Sequence, residues 1–450
     1  MTTRRDFVKN AVLASVATGL STSAFSASSY SRIIGANDRV RVGVLGFSDR
    51  FRSSLLPAFM EHKKELNFEI VGLSDLWKYR RDQGLEHLTK TLGSEVKGYR
   101  NNEELLDSKT TDVVMISTPD FAHAIHTIQA VQAGMDVYAE KPLAETMQDA
   151  RDVLKAVKSS GKIVQIGSQR RSGPNYHDAV KYINSGEFGP IVMVELMWNV
   201  NQPGRWRRPD LVALCKEADL DWNRYLLNRP KVAFDPRKYL EYRLFWPYSS
   251  GIPGQWMSHQ IDTVHWFANL PHPRSVVANG GIYQWKDGRT NADTLTVAFD
   301  YGPLNDSKSG FQVMFQSRFS NSAGGTKELY YSNGGMINLD TNQITAEGGL
   351  TARMAKEMNM QPNLLEPKKL QDFKVEAGAN TGGDPLTSAH VRNWMDCVKS
   401  RQTPNAPIEA GYQHSIANIM ATAAYQTGLK VTFDEKAQEI MAGGKAWKPY

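Results

Sequence analysis

From Arg39 to Gly167 short β-rich runs alternate with helical segments, and this alternation restricts the fold more than any single motif does. The strand-like runs are VRVGVLG, FEIVGLSD, DVVMIST, DVYAE and KIVQIGS. Between them apolar residues recur at helical spacing. In HAIHTIQAVQAGM, Ile125, Ile128, Val131 and Met135 share one stripe and Gly134 stands at the C-cap position. Strand and helix units of this length in regular succession make a doubly wound parallel sheet of the Rossmann type.

After Gly167 the pattern changes. A helix ending at glycine and the strand IVMVELMWNV lead into a Pro-, Trp- and Arg-rich passage from Gln202 to Gly254. Several strand-like runs follow, and two helical segments, HVRNWMDCVKSR and YQHSIANIMATAAYQTG, come near the end. Strands grouped in this way predict an α+β domain with a large open, mainly antiparallel sheet. A chain of 450 residues exceeds one ordinary core. The expected division is 38–167 for the α/β domain, 168–430 for the α+β domain and 431–450 for a C-terminal tail.

Residues 1–30 read as a separate segment. Arg4 and Arg5, followed by Phe7, Lys9 and a weakly apolar run, have the order of a twin-arginine export signal; an ordinary secretory signal or a basic arm is the alternative. Export predicts a periplasmic or extracellular protein. Without residues 1–27 the formal charge of +6 falls to +4, too mild to indicate nucleic acid as a partner. No apolar run reaches the roughly 18 residues of a membrane span. Cys215 and Cys397 read equally as a disulfide or as two buried thiols, and neither has metal-ligand spacing.

The stretch VGVLGFSDRF, Val42 to Phe51, ends a strand where a dinucleotide-binding turn belongs. Only Gly46 fits the G-x-G-x-x-G pattern, because Ser48 and Phe51 hold the other two positions. Asp75 closes the second strand, either as a ribose-binding carboxylate or as a turn aspartate. STPDFAHA brings Thr118, Pro119, Asp120 and His123 to the carboxyl end of the next strand, where open α/β sheets bind ligands. Glu140 and Lys141 follow at the mouth of another strand, where opposite charges cost desolvation; a solvated ion pair is the bland alternative.

In this order the turn, the terminal aspartate, TPDFAHA, EKP, GSQRR and the later His259-x-x-Asp262 resemble the Gfo/Idh/MocA family of sugar and polyol oxidoreductases, over residues 38 to about 430. The resemblance implies NAD, with NADP as the alternative, and a homo-oligomer formed through the C-terminal sheet. It implies Lys141 as catalytic, and Gly46, Ser48, Asp75, Thr118, Pro119, Glu140 and Gln169 as cofactor contacts. Arg50 is expected at a phosphate and His123 at the cofactor. Asp75 favours NAD, since a carboxylate repels a 2′-phosphate.

In QWMSHQIDTVHW, His259, Asp262 and Trp266 share a helical stripe while His265 lies roughly 120° away, which argues against a metal site. A lone helical histidine is more often structural, but the resemblance places His259 and Asp262 in the active site. A histidine titrating near neutrality there suits removal of a hydroxyl proton; His259 is then the expected general acid/base, with Lys141 as its partner. Asp262 is expected to orient the imidazole or bind a sugar hydroxyl. Where many relatives carry a carboxylate four residues ahead of this histidine, this chain has Gln255, which hydrogen-bonds but is no base. Arg205, Trp206 and Arg207 are substrate-side candidates, because aromatic faces and guanidinium forks suit sugar rings and acidic groups on them.

Three functions satisfy these observations. The first is oxidation of a sugar, glycoside or polyol hydroxyl with a tightly held cofactor recycled in place. The second is redox-neutral glycoside hydrolysis through transient oxidation. The third is a non-catalytic carbohydrate-binding protein on a degenerate fold.

Overall fold

The computed structural model describes residues 39–202, 204–303, 305–306, 308–371 and 384–450; the expected export segment lies outside them. From Arg39 onward the chain packs as one unit built on two sheets.

The first sheet contains β1 (Val40–Leu45), β2 (Phe68–Ser74), β3 (Lys97–Tyr99), β4 (Val113–Ile116), β5 (Asp136–Ala139) and β6 (Val164–Ile166). They run parallel in the order β3-β2-β1-β4-β5-β6, the Rossmann order. Both β4 and β5 are buried along their whole length, which is why β4 is a continuous apolar run and β5 is apolar after Asp136, whose carboxylate pairs with Arg401. The chain order reverses between β1 and β4, and the candidate site opens at their carboxyl ends.

The second sheet is mixed, with eleven strands among the described residues. Its centre is β7 (Ile191–Asn199), parallel to β10 (Phe311–Arg318); antiparallel pairs extend it through β9 (Thr294–Tyr301) and β8 (Ser275–Gly281) on one side and β11 (Thr326–Ser332) on the other. The helix Ser258–Ala268, buried at nearly every position, packs against β7 and against the helix Ile408–Thr427, which itself packs on β8.

Two segments differ from the expected division. Residues 431–450 are no tail: Val431–Asp434 pairs with β8, Glu439–Ala442 and Lys445–Ala446 add two further strands, and Trp246 Nε1 donates to the Pro449 carbonyl at 2.9 Å. The late helix Pro385–Ser400 packs on the helix Leu56–Leu66 of the first sheet. Beside it, Gln165 Nε2 donates to the His390 carbonyl at 2.6 Å and Ile166 N–H to Ala406 at 2.9 Å. The far end of the chain thus covers the β6 side of the parallel sheet.

Candidate active site

Gly46 follows β1 with φ +88°, in the left-handed region. A Cβ there would also stand close, 3.1 Å, to Thr118 Cγ2, so the backbone conformation favours glycine and the space around it is tight. Ser48 Oγ accepts the Phe51 N–H at 3.1 Å, capping the helical turn that begins there and keeping its own proton free. Phe51 is fully buried beside Phe47, ring centroids 6.1 Å apart. The close packing that the missing third glycine supplies elsewhere is transferred to Gly84 on the next helix, where a Cβ would meet Phe47 Cγ at 2.8 Å and Leu73 Cδ2 at 2.5 Å. The turn is rebuilt rather than lost.

Asp75 accepts the N–H groups of Phe47 and Trp77, each at 3.0 Å, and faces the Tyr239 hydroxyl at 3.4 Å. Burial raises its pKa above the ordinary carboxylate value, against these donors. Thr118 and Pro119 line the cleft with Gly46, Ser48 and Asp75. His123, expected at the cofactor, lines the adjoining cavity and ties the ends of β4 and β5 together: Nδ1 lies 2.8 Å from the Pro142 carbonyl and Nε2 2.7 Å from that of Thr118. Gln169 is buried, with Oε1 lacking a hydrogen-bond partner, and lines neither this cleft nor the adjoining cavity. The passage after Gln202 roofs the cleft. Arg208 pairs with Asp49 at 2.9 Å, Leu220 bridges to Trp77, and Tyr239 reaches Asp75.

Arg50 meets Glu140 at 2.8 Å, a nearly dry ion pair. Burial alone would raise Glu140, but Arg50 and Lys141 hold it below its ordinary value. Arg50 lines both cavities, and its Nη1 is buried without a partner, so the guanidinium retains an unspent donor. With the side-chain-free backbone at Gly46, this unspent donor fits a dinucleotide phosphate. Glu140 lines the adjoining cavity and anchors Arg50 there.

Lys141 projects into a cavity of about 680 Å³ also lined by His259, Gln255 and Asp120. Its Nζ donates to the Gln255 carbonyl at 2.8 Å. Burial depresses the ammonium to about 8, with Asp120 and Glu140 opposing the shift. Asp120, which the sequence reading brought to the mouth of β4 without assigning it a role, is the carboxylate nearest in effect to Lys141. It accepts Ser249 Oγ at 2.6 Å and Gln255 Nε2 at 2.5 Å. Arg243 Nε donates to Gln255 Oε1 at 2.8 Å. Gln255 thus joins a cation to a carboxylate from the other sheet. Behind them Glu145, buried near Asp120, is pushed up to about 8.

His259 lines this cavity with its ring 5.6 Å from Trp198, and no hydrogen bond reaches its imidazole among the described residues. Burial and the Lys141 charge hold it well below its ordinary value, so the expected near-neutral histidine is a neutral one, and Lys141 is the group poised close to neutrality. Asp262 does not orient it. That carboxylate, fully buried, takes the Arg171 fork at 2.7 and 3.1 Å; burial opposes ionisation, but Arg171 lowers the pKa to about 2. His265 pairs with Tyr301 at 2.7 Å, and no metal-sized cluster of His, Cys, Asp and Glu occurs among the described residues.

Arg205 and Trp206 border the cavity; Arg207 does not, being bound to Glu241 and Asp287. Trp198, Trp256 and Trp206 form a buried stack with 4.8 and 5.9 Å spacings, a packed wall whose faces are already covered. Cys215 and Cys397 are free and buried.

The model of the "Oxidoreductase family, NAD-binding Rossmann fold" matches residues 40–168. Inositol 2-dehydrogenase of Salmonella typhimurium is 31% identical over 162 residues, 36% of this chain and 47% of that protein. The scyllo-inositol 2-dehydrogenase (NAD(+)) of Bacillus subtilis is 35% identical over 121 residues, 27% of this chain and 34% of that protein. The match thus spans about half the length of these curated relatives or less. Two solved structures share the whole fold. The WlbA dehydrogenase of Bordetella pertussis, in complex with NADH and UDP-GlcNAcA, has a TM-score of 0.62 at 15% identity over 88% of this chain and 99% of its own. The myo-inositol 2-dehydrogenase of Lactobacillus plantarum has 0.61 at 16% over 88% and 100%. The parallel sheet, the rebuilt turn and the Glu140–Lys141 strand end fall within the residues that match this family model, 40–168, and the two solved structures extend the likeness in fold over the remainder of the described chain.

Proposed function

We propose that this protein is an NAD-dependent oxidoreductase that oxidises a hydroxyl of a sugar, glycoside or polyol and recycles a tightly held cofactor in place. The observation that carries the reading is Lys141: a buried amine with a pKa near 8, in a polar cavity that adjoins the nucleotide cleft. Bound NAD supplies the hydride acceptor. Lys141, in its neutral form, takes the hydroxyl proton. Asp120 and Glu140 stabilise the ammonium that results, and the Gln255 carbonyl holds Nζ in place. His259, neutral, hydrogen-bonds the reacting oxygen. The roof latched by Arg208 to Asp49 supports slow cofactor exchange. Slow exchange suits export of the loaded, folded protein, and the open face of the large sheet, with Val192 and Val277 about half exposed, suits self-association.

The test is to mix the purified protein, without added nucleotide, with a panel of hexoses, inositols and glycosides and follow near-ultraviolet absorbance. The reading predicts one turnover of reduced nicotinamide per site, absent from Lys141→Ala. Hydrolysis of a glycoside with no lasting absorbance change would replace it with the redox-neutral reaction.

A further inference from the structure

The Lys141 cavity carries cations that its own carboxylates do not neutralise. Of the three carboxylates on its wall, Glu140 is paired with Arg50, Asp49 with Arg208 and Arg52, and Asp120 is hydrogen-bonded by Ser249 and Gln255. Lys141, Arg243 and Arg205 have no carboxylate within ion-pair distance among the described residues. The first two are engaged by Gln255, through its carbonyl and its Oε1.

Among the described residues the Arg205 guanidinium donates only to Gln202 Oε1, at 2.6 Å, and it lies over the face of Trp256 at 4.7 Å. A guanidinium held flat on an aromatic ring keeps its in-plane N–H edge available for a planar anion. Burial, together with the charges of Arg243 and Arg208, lowers Arg205 to about 10. A partly desolvated cation among like charges is favoured only when an anion completes the site. Arg205 borders the Lys141 cavity but not the glycine-turn cleft, so a phosphate seated at that turn leaves it unmatched.

We propose that the substrate carries an anionic group, a carboxylate or a phosphate ester, and that Arg205 receives it while the reacting hydroxyl faces Lys141. The assignment of the reacting hydroxyl rests on the oxidoreductase reading; the anion site does not.

The experiment is calorimetric titration of the protein as purified with D-glucuronate against D-glucose, D-galacturonate against D-galactose, and D-glucose 6-phosphate. At least one acid is expected to bind about tenfold or more tighter than its neutral parent. Arg205→Gln should bring the pair within about twofold, and Arg205→Lys should keep an intermediate preference. The preferred acid separates a uronate from a phosphate ester. Equal binding of acids and neutral sugars, an acid preference that survives Arg205→Gln, or no binding of any acid overturns the proposal. Should Arg205→Gln not fold, the acid preference of the unmodified protein must shrink with rising salt, and a salt-independent preference also overturns it. If acids bind but the protein never reduces a nicotinamide, the oxidoreductase reading fails and the anion site stands.

Discussion

At Lys141 burial removes stability from the charged amine, while Asp120 is the strongest charge restoring it. The balance leaves the group at about 8, so hydroxyl oxidation should rise with pH and level off above that value, as the amine becomes neutral. Asp120→Asn removes the opposing charge and should move the inflection of the kcat/KM profile below 8; an unmoved inflection would assign the pH dependence to another group. Lys141→Ala should lower kcat by about 10²- to 10⁴-fold with the fold intact, as measured by circular dichroism. Glu145 provides a separate check. Its folded pKa of about 8 lies above the ordinary carboxylate value of 4.5, so the native state retains a proton that the unfolded chain has lost between those values. Stability is therefore lost as pH rises through that window. Glu145→Gln should flatten the fall of Tm between pH 5 and 8. At this scale the sequence placed Gly46, Ser48, Asp75, Thr118, Lys141 and His259 around adjoining cavities because motifs fix positions at strand ends. It misassigned Asp262 and Arg207 because ion-pair partners distant in sequence, Arg171 and Glu241, decide whether a charge is structural or free.

The elements that matter most are the glycine turn and the roof above it. The turn tolerates Ser48 and Phe51 because Gly84, on a different helix, admits the Phe47 ring. Gly84→Ala should cost about 1–3 kcal/mol of stability, read from urea unfolding, since both neighbours at 2.8 Å or less are core side chains. Nothing in the local pattern links Gly84 to a turn some forty residues earlier, so sequence reasoning saw degeneracy where the packing had been relocated. The roof makes a different prediction. Asp49 holds Arg208 at 2.9 Å and Arg80 at 3.3 Å, and Asp49→Ala should release that latch. Nucleotide lost from the variant on gel filtration, but kept by the unmodified protein, is the expected result. Equal retention would show that Tyr239 and the Leu220 bridge suffice.

Across the whole molecule, alternation of strand and helix made the parallel sheet legible, because its buried strands are short apolar runs with few competing readings. The role of the chain's end was not legible. Pro385–Ser400 and the segment through Ala406 complete the first sheet, and residues 431–446 extend the second, contacts set by tertiary packing alone. A fragment ending at residue 168 should therefore fail to give a cooperative thermal transition, whereas the full chain should unfold with both sheets together. The central claim, that the rebuilt turn holds a nicotinamide dinucleotide beside Lys141, is tested most directly by denaturing protein purified from the cytoplasm and assaying the supernatant for NAD(H). The account predicts near-stoichiometric NAD(H). Protein that yields none, and that binds none when NAD is added, would contradict it.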